Sequence, residues 1–133
     1  MAKVQLRNEI VFKAPTRIGL LADVAEALAA AGVDIEAIGA YDKGDKGEFL
    51  LVTSDNRATG AALAGLGGEI DMVPVVTVEV PDERGALARL ARLISDAGLN
   101  IGQVHATTGG AGDVLVVLRT DEEARVVDLL AGL

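Results

Sequence analysis

Residues 81–101 read PDERGALARLARLISDAGLNI, and residues 15–35 read PTRIGLLADVAEALAAAGVDI. Set 66 positions apart, the two stretches bring Pro15 onto Pro81, Gly19 onto Gly85, Leu21 onto Leu87, Gly32 onto Gly98 and Ile35 onto Ile101. The likeness runs on. GEFLLVTSD (47–55) lies against GDVLVVLRTD (112–121), and each copy ends in AGL, at 64–66 and 131–133. The 133 residues therefore hold a tandem repeat of a unit of about 66 residues.

Each copy reads as strand, helix, strand, strand, helix. Residues 10–13 and 75–80 are β-branched runs closed by Pro15 and Pro81, which predicts strands. Residues 19–31 and 85–97 carry apolar side chains at helical spacing, through Leu20, Leu21, Val24 and Leu28 in one and Leu87, Leu90 and Ile94 in the other. Thr16 and Asp82 stand where N-caps are expected, and Gly32 and Gly98 where the helices stop. Strands follow at 33–41 and 99–107, hairpin turns at 42–47 and 108–112, and strands again at 48–53 and 113–119. Second helices are predicted at 56–66 and 121–130.

The first copy has a fourth strand at 69–73, before Pro74, whereas the second runs out at Leu133 as its last helix ends. Counting 66 back from residues 70–73 lands on Val4, Gln5, Leu6 and Arg7. The expected division is thus residues 1–73 and 74–133, with either residues 4–7 supplying the closing strand of the second unit or each unit forming a permuted, self-contained module.

Composition narrows the function. The chain has no cysteine, which removes disulfides, thiolate metal sites and a Cys nucleophile, and its one histidine, His105, leaves no His-rich metal centre. No cofactor or metal is expected. Net charge is −8, from seven basic against eleven acidic residues over 1–73 and five against nine over 74–133. That balance excludes a nucleic-acid backbone binder, and three aromatics (Phe12, Tyr41, Phe49) make no stacking platform. Mean hydropathy is +0.38, yet no apolar run approaches the ~20 residues of a membrane span, and MAKVQLRNE shows no signal-peptide core. A cytoplasmic protein with no membrane or nucleic-acid partner is expected. No nucleophile, base and acid can be assembled, so no enzyme is expected either.

His105 reads as a hydrogen-bonded strand residue, with a pH-sensing contact as the alternative. Gly109, Gly110, Ala111 and Gly112 join two strands, which is not the setting of a phosphate cradle. Asp42, Asp45 and Glu48, interrupted by Lys43 and Lys46, read as a solvated turn.

The frame PDxxGxLAxLAxxIxxAGxNI set between strands resembles the ACT domain, the βαββαβ ligand-sensing module of amino-acid metabolism. The second copy carries it through Pro81, Asp82, Gly85, Leu87, Leu90, Gly98, Asn100 and Ile101, and in the first copy Thr16 replaces the Asp and Asp34 the Asn. The resemblance implies an α+β fold of two ferredoxin-like units, each an antiparallel sheet with helices on one face. It also implies a bound amino acid at unit interfaces, against the turn between first strand and helix. There Asp82, Arg84, Gly85, Ala86 and Leu87 would hold the backbone end of the ligand, and Asn100 and Ile101 would face its other end. Arg17, Ile18, Gly19, Leu20, Asp34 and Ile35 are the corresponding set in the first unit. The physical basis is that free N–H groups and the positive end of the helix dipole meet at such a turn. The implied function is a non-catalytic amino-acid sensor, expected as a homodimer. The alternative is a ligand-free module that docks on and regulates a metabolic enzyme.

Overall fold

Two 13-residue strands, β1 (Lys3–Pro15) and β4 (Glu69–Pro81), carry the same succession of exposed and buried positions 66 residues apart. They organise a computed structural model in which residues 3–108 and 112–133 are described. Between them come α1 (Leu20–Ala30), β2 (Ile35–Lys43), β3 (Lys46–Thr53), α2 (Asn56–Leu63) and a 3-10 turn, Ala64–Leu66. After β4 follow α3 (Ala86–Asp96), β5 (Ile101–Thr108), β6 (Asp113–Thr120) and α4 (Glu123–Leu130). Gly109, Gly110 and Ala111, expected in a hairpin loop, lie outside the described residues.

The chain divides into two units. One is Asn8–Val73, with its strands in the order β2-β3-β1-β4. The other is Pro74–Leu133 together with the N-terminal stretch up to Arg7, in the order β1-β4-β6-β5. Both are antiparallel ferredoxin-like sheets with two helices packed on one face, an α+β architecture. In the second unit Val4 packs against the core and the Lys3 ammonium lies 3.5 Å from the Glu79 carboxylate, so the fourth strand comes from the start of the chain.

Each long strand is continuous where two short pieces were expected. Pro74 does not interrupt β4, because its fixed φ suits an extended strand and the cost is one missing N–H. Its counterpart in β1 is Asn8, likewise exposed.

In the first unit Leu20, Val24 and Leu28 point from one side of α1 onto Ile10, Phe12, Phe49 and Leu51, and Leu63 of α2 closes the cluster. Phe12 and Phe49 are register partners with ring centroids 6.1 Å apart. In the second unit Leu90, Ile94, Val126 and Leu130 cover Val76, Val78, Val116 and Leu118. Burying each such side chain contributes roughly 1.5–3 kcal/mol. Leu50 and Val52 point away from the helices and are buried too, which is why residues 49–52 form an unbroken apolar run. The hairpin between the second and third strands is one residue longer in the second unit. Ala40 pairs with Phe49 whereas Ala106 pairs with Val116, so the repeat offset becomes 67 beyond that point.

Candidate functional site

The first helix of each unit begins at a glycine. Gly19 (φ 89°) and Gly85 (φ 85°) occupy the N-cap positions in the left-handed region, and no side chain caps either helix. Thr16 and Asp82, expected as caps, lie three residues upstream of them. The Thr16 hydroxyl instead donates to Asp42 Oδ1 at 2.6 Å, and the Asp82 N–H donates to the Gly112 carbonyl at 2.7 Å. A left-handed residue turns the chain sharply into the helix, so the Gly19 carbonyl accepts from Asp23 N–H at 2.9 Å and the Gly85 carbonyl from Arg89 N–H at 3.0 Å. First-turn N–H groups, those of Leu21 and Ala22 or Leu87 and Ala88, have no intrahelical acceptor and face outward with the dipole behind them.

Beside each turn lies a cavity. In the first unit it has a volume of about 360 Å3, with Thr16, Arg17, Gly19 and Leu20 on the helix side and Tyr41, Asp42, Gly47 and Phe49 on the strand side. In the second unit it has about 390 Å3, with Asp82, Glu83, Gly85, Ala86 and Leu87 facing Val80, Ala106, Val114 and Val116. The two are repeat equivalents with different chemistry. Tyr41 and Asp42 correspond to Thr107 and Thr108, and Gly47 corresponds to Val114.

Two substitutions are coupled. A Cβ placed on Gly47 would stand 2.9 Å from Leu20 Cδ2, so the first unit pairs a large helix residue with a bare strand position. The second unit reverses this with Ala86 and Val114. Charge is reversed as well. Arg17 pairs with Asp23 at 2.5 Å across the first turn, and Glu83 pairs with Arg89 across the second, at equivalent positions.

Of the residues expected at the site, the structure gathers Arg17, Gly19 and Leu20 in one cavity and Asp82, Gly85, Ala86 and Leu87 in the other. Ile18 is fully exposed, and neither it nor Arg84 lines either of these two cavities. Asp34, Ile35, Asn100 and Ile101 stand at the opposite end of the helix within their own units, about 16 Å away along 11 residues. There the Asp34 N–H donates to Ser54 Oγ at 2.9 Å and the Asn100 N–H to Asp121 Oδ1 at 3.1 Å. Those bonds fix the entry to the second strand. The reading from residues missed Tyr41, Asp42 and Gly47 in the first cavity, and Ala106 and Val114 in the second. Asp42, expected in a solvated turn, falls on the same face as Ala40 and Ile38, the face that meets the helix.

The family model for the ACT domain matches the chain twice, over residues 8–64 and 74–129. The chain belongs to the ACT domain family. No curated protein sequence matches it. Among solved structures, this ACT protein is similar to a protein from Bacteroides thetaiotaomicron, with 21% identity, TM-score 0.86 and coverage of 97% of this chain and 89% of the other. The ligand-free regulatory subunit of aspartate kinase from Thermus thermophilus is similar at 16% identity and TM-score 0.74, over 98% of this chain and 95% of that one. The regulatory subunit of aspartate kinase from Thermus flavus follows at 19% identity and TM-score 0.64, over 96% and 90%. At these identities the likeness is one of fold, and that fold is the ACT fold read from the repeated motif.

Both glycine turns of this ACT protein offer the same backbone chemistry, a set of convergent N–H donors suited to a carboxylate. Side-chain chemistry distinguishes them. Beside the first turn stand a carboxylate, a hydroxyl and the exposed Tyr41; across from the second stand valines. Among the described residues no group of three or more His, Asp or Glu side chains is placed to hold a metal ion, and no helix is long and apolar enough to cross a membrane.

Proposed function

We propose that this ACT protein is a non-catalytic regulatory sensor that binds a free amino acid at the glycine turns opening α1 and α3. The observation that carries the reading is the cavity at each turn, where helix N–H groups and acidic side chains share one opening of about 360 or 390 Å3. These volumes fall within the usual range for small-molecule sites. An α-carboxylate would accept from the first-turn N–H groups, and an α-ammonium would sit against Asp42 in the first unit or Asp82 in the second. Regulatory subunits of aspartate kinase among the similar folds support a regulatory role. Calorimetry and thermal-shift measurements over the twenty amino acids test the reading. Saturable binding of at least one below millimolar concentration is expected, and binding of none would overturn it.

Association of two copies is part of this proposal, in a protein acting in the cytoplasm. Exposed apolar residues recur at equivalent places: Leu21 and Leu87 on the helices, Ile38 and Val104 on the outermost strands. Those strands, β2 and β5, end their sheets with unpaired backbone groups. The same surfaces favour a second reading, in which the protein docks on and regulates a metabolic enzyme without a ligand. A null amino-acid panel combined with enzyme capture would favour it.

A further inference from the structure

The two cavities differ in a way that bears on what each can hold. Around the first, the strand side is the bare backbone of Gly47 beside Asp42, whose Oδ1 lies 3.8 Å from where a Gly47 Cβ would be. Around the second, the exchange of Leu20 and Gly47 for Ala86 and Val114 moves methyl groups from the helix to the strand. Val80, only 5% exposed, and Val114 then form an apolar wall, with Leu87 at the mouth. The Glu83 carboxylate is engaged by Arg89, leaving Asp82 as the acid at that opening without a salt-bridge partner among the described residues.

We infer that the second cavity selects an amino acid with a branched aliphatic side chain, and that Val114, in the wall it forms with Val80, sets this selectivity. The inference rests on the sensor reading above and specifies its ligand. Three groups on one α-carbon must be satisfied together. First-turn N–H groups meet the carboxylate, Asp82 meets the ammonium, and the remaining substituent is left facing methyl groups. A polar side chain there would lose its water with no hydrogen-bond partner in return, whereas an aliphatic one gains by leaving water. The first cavity is lined by Leu20 and Phe49 as well, but there Thr16, Tyr41 and Asp42 offer a polar side chain partners.

Calorimetric titration of the full chain with L-valine, L-isoleucine and L-leucine, against L-serine, L-aspartate and L-lysine, tests the inference. The aliphatic set is expected to bind at least tenfold more tightly than the polar set, at one site per chain. The variant Val114→Asp places a carboxylate in that wall and is expected to lose that preference. Should it fail to fold, Val114→Thr keeps the shape, adds a hydroxyl, and is expected to weaken aliphatic binding several-fold. A preference for polar amino acids, or an aliphatic preference that survives these variants, overturns the inference and leaves the sensor reading standing. Binding of no amino acid by the unaltered protein overturns both.

Discussion

At the residue scale, the repeat shows the same buried hydroxyl solved twice, once well and once not. Thr53 Oγ1 lies 2.9 Å from Thr59 Oγ1 and 3.3 Å from Asn56 Oδ1, and Thr59 Oγ1 also donates to the Asp55 carbonyl at 2.8 Å. The counterpart of Thr53 is Thr120, but that of Thr59 is Val126, and among the described residues the buried Thr120 Oγ1 has no hydrogen-bond partner. A buried hydroxyl with no partner costs about 1–3 kcal/mol, while one that is satisfied is worth about 1 kcal/mol. Thr120→Val is therefore expected to stabilise the protein by about 1 kcal/mol, and Thr53→Val to destabilise it by a similar amount. Urea unfolding measures both, and equal effects of the same sign would contradict the account. Legibility fails at this scale for the same reason. The Thr53 and Thr120 positions are identical in sequence, and only the helix residue opposite distinguishes them. Asp42 is a like case, because nothing in a run of alternating acids and lysines marks the one carboxylate that Thr16 reaches.

At the element scale, most of the fold follows from the spacing of glycine, proline and apolar residues. The 3.6-residue spacing of Leu20, Val24 and Leu28 and the stops at Gly32 and Gly98 place α1 and α3 to within two residues. The capping residues differ from expectation: Thr16 and Asp82 fit the usual N-cap preference, whereas a left-handed glycine opens each helix by backbone geometry alone. Pro74, expected at a boundary, lies within β4. Residues 3–7 carry a clearer consequence. Val4 packs against the second core, so removing residues 1–7 strips a strand from β4 and leaves a bare edge there. Loss of the Val4 contact alone costs about 1–2 kcal/mol. The Lys3–Glu79 pair adds little, since both side chains are solvated. In the truncated protein, amide exchange is expected to accelerate at residues 76–80 and 116–118 more than at 10–12 and 49–51. Unchanged protection across residues 76–80 would show that this strand contributes nothing to the second unit.

At the scale of the whole molecule, repetition extends to what is left exposed. A singly exposed leucine or valine needs no explanation. Exposure at equivalent positions of both repeats, Leu21 with Leu87 and Ile38 with Val104, is less easily accidental, because nearby positions such as Leu20 with Ala86 and Gly47 with Val114 have diverged between the copies while these have stayed large and apolar. Association through β2 or β5 would pair their free N–H and C=O groups and bury these side chains together. Opposing it is charge, since each copy carries −8 and two copies repel at long range. Salt screens that repulsion, the Debye length falling from about 30 Å at 0.01 M to about 8 Å at 0.15 M, and leaves apolar burial nearly untouched. Dimerisation is therefore expected to tighten as salt rises over that range, the reverse of an interface held by ion pairs. Sedimentation or light scattering at micromolar concentration measures it, with Ile38→Glu and Val104→Glu as variants expected to shift the protein toward monomer. If salt loosens the dimer, or if neither variant weakens it, the contact is ionic or lies on another surface, and the exposed pairs have some other use.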